Sequence, residues 1–123
     1  MIIGNGCDIV QNCRIANIID AFGERFLQRI YTAGELEKAR NLKQMKRIGY
    51  LAKRFAAKEA IAKALGCGIG KQLAFKDIEI VNDEKGKPIV TILSSDYQNV
   101  TFHLSMADEK HYSIASVVAV GKL

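Results

Sequence analysis

Glu59 and Lys63 stand four residues apart in Phe55-Ala56-Ala57-Lys58-Glu59-Ala60-Ile61-Ala62-Lys63, a stretch free of helix breakers. A helix puts both on one face. An acid and a base so placed suit metal-assisted phosphoryl-type chemistry. Taken alone, the pair is most often a solvated ion pair contributing a few tenths of a kcal/mol. Asp8 changes that weighing. It lies near the end of the glycine-punctuated run Ile2 to Val10, where a carboxylate does little for strand stability. Gly4 and Gly6 beside it predict close backbone approach by another group. If the strand end faces the helix, Asp8 and Glu59 offer two hard oxygen ligands. Such a pair, leaving positions for water and phosphate, suits Mg²⁺. Lys63 would then meet a leaving phosphate.

Gly66-Cys67-Gly68-Ile69-Gly70-Lys71 follows the helix directly. It is no Walker motif, because the order is helix then glycines and a helix C-terminus repels anions. The cluster reads as a helix stop. Phosphate contact there needs the loop amides or Lys71. Cys7, Cys13 and Cys67 are odd in number with no CxxC pair, which predicts free, half-buried thiols and no thiolate zinc site.

The elements that must position these groups follow from periodicity. Ile2 to Val10 reads as a strand. Ile15, Ile18, Ile19 and Phe22 fit a short helix, and Arg25 to Ile30 extends or follows it. Thr32 with Glu35 three residues on makes a capping box, starting a helix to about Leu42. Lys43 to Leu65 is helical throughout. Phe75 to Asn82 alternates as a strand, with Ile78, Ile80 and Asn82 on one side. Asp83 to Lys87 is a turn and Pro88 to Leu93 the returning strand. Thr101 to Met106 and Ser113 to Val120 form a second pair around Ala107 to Lys110. The expected class is α+β: a mainly antiparallel sheet packed against one long helix and several short ones, as a single domain over residues 1–123.

The formal charge of +5 and pI of about 9.2 predict an anionic partner: nucleic acid, a phosphorylated cofactor or an acidic protein. Aromatic residues are only 7% of the chain, with no aromatic and lysine stripe between Phe75 and Leu93. That composition disfavours nucleic-acid binding. A Mg²⁺-dependent phosphatase or nuclease is a rival use of the same acid pair. No apolar run is long enough to span a bilayer, and the N-terminus lacks signal-peptide character. The expected location is cytoplasmic, with no membrane partner.

Gly6-Cys7-Asp8 and Phe55 to Lys63 resemble the two blocks of the 4′-phosphopantetheinyl transferase superfamily, Gly-x-Asp and Phe-x-x-Lys-Glu-x-x-x-Lys. Gly4 to Val10, Arg14-Ile15, Arg54 to Ala56, Gly66 to Ile69, Asp83 to Pro88 and His103 to Ser105 are similar to its small bacterial branch. The resemblance spans nearly the full chain. Cys67 stands where threonine is usual, and Asp108 where some relatives carry a second histidine, with His111 nearby.

The resemblance implies transfer of 4′-phosphopantetheine from coenzyme A to a serine of apo acyl carrier protein, releasing adenosine 3′,5′-bisphosphate, in support of fatty acid biosynthesis. It implies Mg²⁺ on Asp8 and Glu59. Glu59, or a water on the metal, assists removal of the serine proton, and Lys63 serves the leaving phosphate. Coenzyme A contacts are implied for Lys63, Gly66, Gly68, Lys87, Pro88, His103 and Ser105. An acidic carrier protein would be gripped by Arg14, Arg25, Phe26, Arg29 and Arg54. Relatives of this size resemble homotrimers with active sites between subunits.

Overall fold

The computed structural model describes residues 1–70 and 72–122. Its axis is α4 (Gln44–Leu65), the long helix predicted from Lys43 onward. Alanine at 52, 56, 57, 60, 62 and 64 supplies helix propensity and leaves a thin, fully packed surface. Gly66 ends the helix in the left-handed conformation, φ 73°. The amides of Cys67 and Gly68 both turn back to the Ala62 carbonyl, at 3.2 and 3.4 Å, and so satisfy the orphan end of the helix.

The first strand, β1 (Ile2–Gln11), lies against this helix. A methyl group on Gly4 would overlap the Ala64 carbonyl, and one on Gly6 the Ala60 carbonyl. Only glycine lets strand and helix backbones meet so closely. Two strand residues advance roughly 6.6 Å and four helical residues roughly 6 Å, so the two glycines step along successive turns of α4. The close approach predicted from the sequence is therefore made by α4, the helix that carries Glu59 and Lys63.

β1 joins β5 (Tyr112–Gly121), which joins β4 (Val100–Asp108), all antiparallel. Alternation decides the faces. Ser113, Ala115, Val117 and Ala119 of β5 are buried toward α4. Ile3, Ile9, Ile114 and Tyr112, on the other face, are 44–60% exposed.

Three shorter helices pack on the remaining sides: α1 (Asn12–Phe22), α2 (Glu24–Ile30) and α3 (Ala33–Arg40). Thr32 caps α3 with Glu35 in the expected reciprocal box, although the helix stops at Arg40, short of Leu42. A hairpin of β2 (Ile78–Asn82) and β3 (Pro88–Ile92) forms a separate two-stranded sheet. Asp83 Oδ1 accepts from the amides of Lys85 and Lys87, each at 2.9 Å, which tightens the predicted turn. Phe75–Asp77 is a 3₁₀ turn, not the start of β2, because Asp77 Oδ2 accepts from the Ala74 amide and curls the chain.

The cysteines depart from expectation. Cys7 and Cys13 are exposed and only Cys67 is half-buried. Cys7 lies between Gly6 and Asp8, so the strand alternation that turns those two toward α4 turns Cys7 outward.

Candidate active site

Continuing from Gly4 and Gly6, the same face of β1 presents Asp8 to α4. On α4 the stripe Phe55, Glu59, Lys63 runs at four-residue steps. The Lys63 ammonium donates to Asp8 Oδ1 at 3.0 Å and to the Cys7 carbonyl at 3.0 Å. Asp8 is the more enclosed partner, its side chain 21% exposed against 55% for Lys63. The contact was not a helix-face pair of Glu59 with Lys63; the lysine reaches across to the strand.

Glu59 is half-buried. Its pKa is raised above the ordinary value, chiefly by burial and next by the Asp8 charge, against the lowering influence of Lys63 and Arg14. The Lys63 pKa is raised by its hydrogen bond to Asp8 and by that carboxylate's charge. Two carboxylates thus repel one another beside one cation. Such a mutual repulsion, with a backbone carbonyl adjoining, is a donor set of hard oxygens that a small divalent cation relieves. Asp8 and Glu59 fit Mg²⁺ on that ground. Two carboxylates leave positions on such an ion for water and phosphate oxygens.

Aromatic packing sets the upper border. Phe55, one turn before Glu59, stacks on Phe75 with centroids 5.3 Å apart and meets Phe26 at 6.4 Å. Phe26 thereby ties α2 to α4, leaving Arg25 and Arg29 exposed on α2. Arg14 is exposed on α1 and near enough for its charge to act on Glu59.

Arg54 corrects the expectation of a partner-gripping residue. It is 2% exposed. Its Nε donates to the Ile80 carbonyl at 3.1 Å, an Nη donates to Asn82 Oδ1 at 3.3 Å, and the guanidinium lies 3.7 Å over the Tyr50 ring. The helix face that carries Arg54 is packed on β2, so its fork is consumed inside the protein.

The predicted nucleotide contacts divide. Gly66 and Gly68 flank the helix stop, but their amides are committed to α4 carbonyls, so neither N–H is offered to a phosphate. Lys71 lies outside the described residues. Lys87 and Pro88 sit at the hairpin end, with Lys87 exposed, and no hydrogen bond or ion pair among the described residues ties them to Asp8 or Glu59. His103 and Ser105 are exposed on β4, alternating with buried Leu104. They occupy the face of the sheet that turns away from α4, opposite to Asp8.

A set of buried charges escaped the sequence reading. Lys58 Nζ lies 2.6 Å from Glu35 Oε1, both side chains 0% exposed, and donates to the Ile30 carbonyl at 2.8 Å. Glu35 Oε2 accepts from the Ile80 amide at 2.8 Å. Thr32 Oγ1 donates to Glu79 Oε2 at 2.6 Å. The Lys58 pKa is lowered by burial, against the opposing influence of Glu35. A signal existed: Leu51, Arg54, Lys58, Ile61 and Leu65 recur at three- and four-residue steps, placing two cations on the apolar stripe.

Residues 4–117 match the family model of the 4′-phosphopantetheinyl transferase superfamily. A Vibrio cholerae holo-[acyl-carrier-protein] synthase is 44% identical over 96% of this chain and 97% of its own length. A Bacillus anthracis holo-(acyl-carrier-protein) synthase, solved in complex with CoA (3′,5′-ADP), superposes with a TM-score of 0.90 at 40% identity, covering 99% of both chains. The Helicobacter pylori holo-[acyl-carrier-protein] synthase, solved with coenzyme A, gives 0.84 at 34% identity over 94% of this chain and 99% of its own.

Proposed function

This chain belongs to the 4′-phosphopantetheinyl transferase superfamily, and we propose that it performs the reaction of the holo-[acyl-carrier-protein] synthases. It moves 4′-phosphopantetheine from coenzyme A to a serine hydroxyl of apo acyl carrier protein. The serine oxygen bonds to the phosphorus that carries pantetheine. The bridging P–O bond breaks, and adenosine 3′,5′-bisphosphate leaves with the electron pair. The observation that carries this reading is the convergence of Asp8, Glu59 and Lys63 between β1 and α4.

Glu59 takes the serine proton. Its raised pKa makes it a stronger base than an ordinary surface carboxylate. Lys63, an exposed ammonium on a flexible stem, neutralises the leaving phosphate. Asp8 and Glu59 would hold Mg²⁺, which when bound supplies charge neutralisation of the diphosphate. Arg14, Arg25 and Arg29, with Phe26 beside them, form a basic docking face for the acidic carrier.

A homotrimer is part of the proposal. The uncovered sheet face carries Ile3, Ile9 and Ile114, an apolar surface that a second copy would bury. His103 and Ser105 share that face. Packing it against a neighbour offers a route by which they could serve a site that includes another copy's Asp8. Three free cysteines, two of them exposed, suit a reducing compartment and support cytoplasmic fatty acid biosynthesis as the setting. No helix among the described residues is long and apolar enough to cross a membrane.

Incubation with coenzyme A, Mg²⁺ and apo carrier protein tests the transfer. A phosphopantetheine mass gain on the carrier serine is expected. A folded enzyme that leaves the carrier unmodified would overturn the reading and favour the phosphatase or nuclease use of the acid pair. Light scattering that returns a monomer would overturn the trimer.

A further inference from the structure

Lys63 holds its ammonium on two oxygens at once, Asp8 Oδ1 and the Cys7 carbonyl, each at 3.0 Å. One of these oxygens belongs to the carboxylate proposed to bind metal. The ammonium occupies Oδ1, and a divalent cation on either oxygen of Asp8 would sit within a few ångströms of that second positive charge and repel it. Asp8 therefore has two suitors, a divalent cation from solution and the lysine four residues beyond Glu59. We propose that Lys63 is a built-in competitor of the metal: binding of the divalent cation at Asp8 and Glu59 expels the Lys63 ammonium, and this exchange delivers the lysine to the phosphate.

The geometry of the two lysines on α4 supports the exchange. Lys58 is sealed, 0% exposed and fixed to Glu35 and Ile30. Lys63 is the exposed one, its side chain 55% exposed against 21% for Asp8. Its four-carbon stem can swing off Asp8 without uncovering core. While it stays, it also moderates the repulsion between Asp8 and Glu59, keeping the pair close in the absence of a stronger cation. Arg14 adds a second positive charge near Glu59 from α1, but no hydrogen bond ties it to either carboxylate among the described residues. The competition thus falls on Lys63. One consequence is specificity of order. A lysine committed to Asp8 is unavailable to a phosphate, so the cation becomes a condition for the lysine's role as well as for charge neutralisation.

The inference rests on the metal part of the proposed function, and it is tested apart from turnover. Backbone amide shifts of Asp8 and Glu59 are followed during titration with MgCl₂, without coenzyme A or carrier, in the wild type, Lys63→Met and Lys63→Arg. Lys63→Met keeps length and loses the charge; Lys63→Arg keeps the charge. The expected result is half-saturation at about two- to fivefold lower Mg²⁺ in Lys63→Met, the scale of losing one partly exposed competing charge. Lys63→Arg should match the wild type or bind Mg²⁺ more weakly. Transfer to carrier protein should nevertheless fall in Lys63→Met, so affinity and turnover move in opposite directions. Equal or weaker Mg²⁺ binding by Lys63→Met overturns the competition while leaving the metal site standing. No response of either amide in any of the three proteins overturns the metal site and the competition together, and the carrier mass assay then judges the transferase reading separately.

Discussion

The Lys58 ammonium sits 2.6 Å from Glu35 Oε1 with neither side chain exposed, one residue before Glu59. This pair ties α4 to the N-terminus of α3, and through Glu35 Oε2 to the Ile80 amide of β2. Adjacent residues on a helix point about 100° apart. Fixing Lys58 inward therefore turns Glu59 toward β1, where Asp8 waits.

Lys58→Met should destabilise the protein by about 3–5 kcal/mol, because Glu35 would be left as a buried, unpaired charge. The double variant Lys58→Met with Glu35→Leu should recover much of that loss. Chemical denaturation of the three proteins checks the claim. A single variant within about 1 kcal/mol of wild type would remove the pair from the scaffold.

Gly6→Val should cost about 1–3 kcal/mol or more, since its side chain would strike the Ala60 carbonyl and push β1 off α4. The displaced strand carries Asp8, so Mg²⁺-dependent turnover should drop further than stability alone explains. Thermal unfolding and single-turnover rates on the folded fraction measure the two effects. Wild-type rates in Gly6→Val would mean that the strand's distance from the helix does not matter to the site.

Glu59 as base sets a pH dependence. Its raised pKa means that it holds its proton to a higher pH than an ordinary carboxylate. In the metal-free protein its carboxyl carbon shift should therefore titrate above the ordinary glutamate value. Arg14 lowers that pKa, so Arg14→Ala should move this titration upward. Asp8 raises it, so Asp8→Asn should move the Glu59 titration down, as read by the carboxyl carbon shift. Both Asp8→Asn and Glu59→Gln should fold normally and lose most Mg²⁺-dependent transfer. Unchanged turnover in either would relocate the metal.

The arginines separate into two kinds. Arg14→Ala, Arg25→Ala and Arg29→Ala should each raise KM for the carrier by severalfold, and wild-type KM should rise with salt, as screening weakens exposed charge contacts. Arg54→Ala should instead destabilise by about 2–3 kcal/mol, because the Ile80 carbonyl and Asn82 lose a charged donor. Steady-state kinetics at two ionic strengths, alongside melting curves, distinguish these outcomes. A salt-independent KM would remove electrostatic docking.

Features set by neighbours in the chain were legible in the residues. The Thr32 and Glu35 capping box closes over three residues. The α4 helix follows from alanine-rich periodicity and ends at a glycine that alone tolerates φ 73°. The turn from Asp83 to Lys87 is built by one side chain on nearby amides. The spacing of Glu59 and Lys63, and the two superfamily blocks around them, required no coordinates.

Tertiary structure decided what depended on distant partners. Gly4 and Gly6 predicted a close approach, but only the packing shows that the Ala64 and Ala60 carbonyls make it. Lys63 reaches Asp8, 55 residues away in sequence, because those glycines bring the strand down onto the helix. Arg54 and Lys58 look like surface cations by residue type. They became internal because their side of α4 faces β2, Glu35 and the end of α2. His103 and Ser105 were assigned to the nucleotide by resemblance; strand alternation, which only the sheet pairing reveals, puts them on the side opposite Asp8 within one chain. A local pattern determines which side chains share a face. Which face meets which is settled by burial of apolar surface across the whole chain.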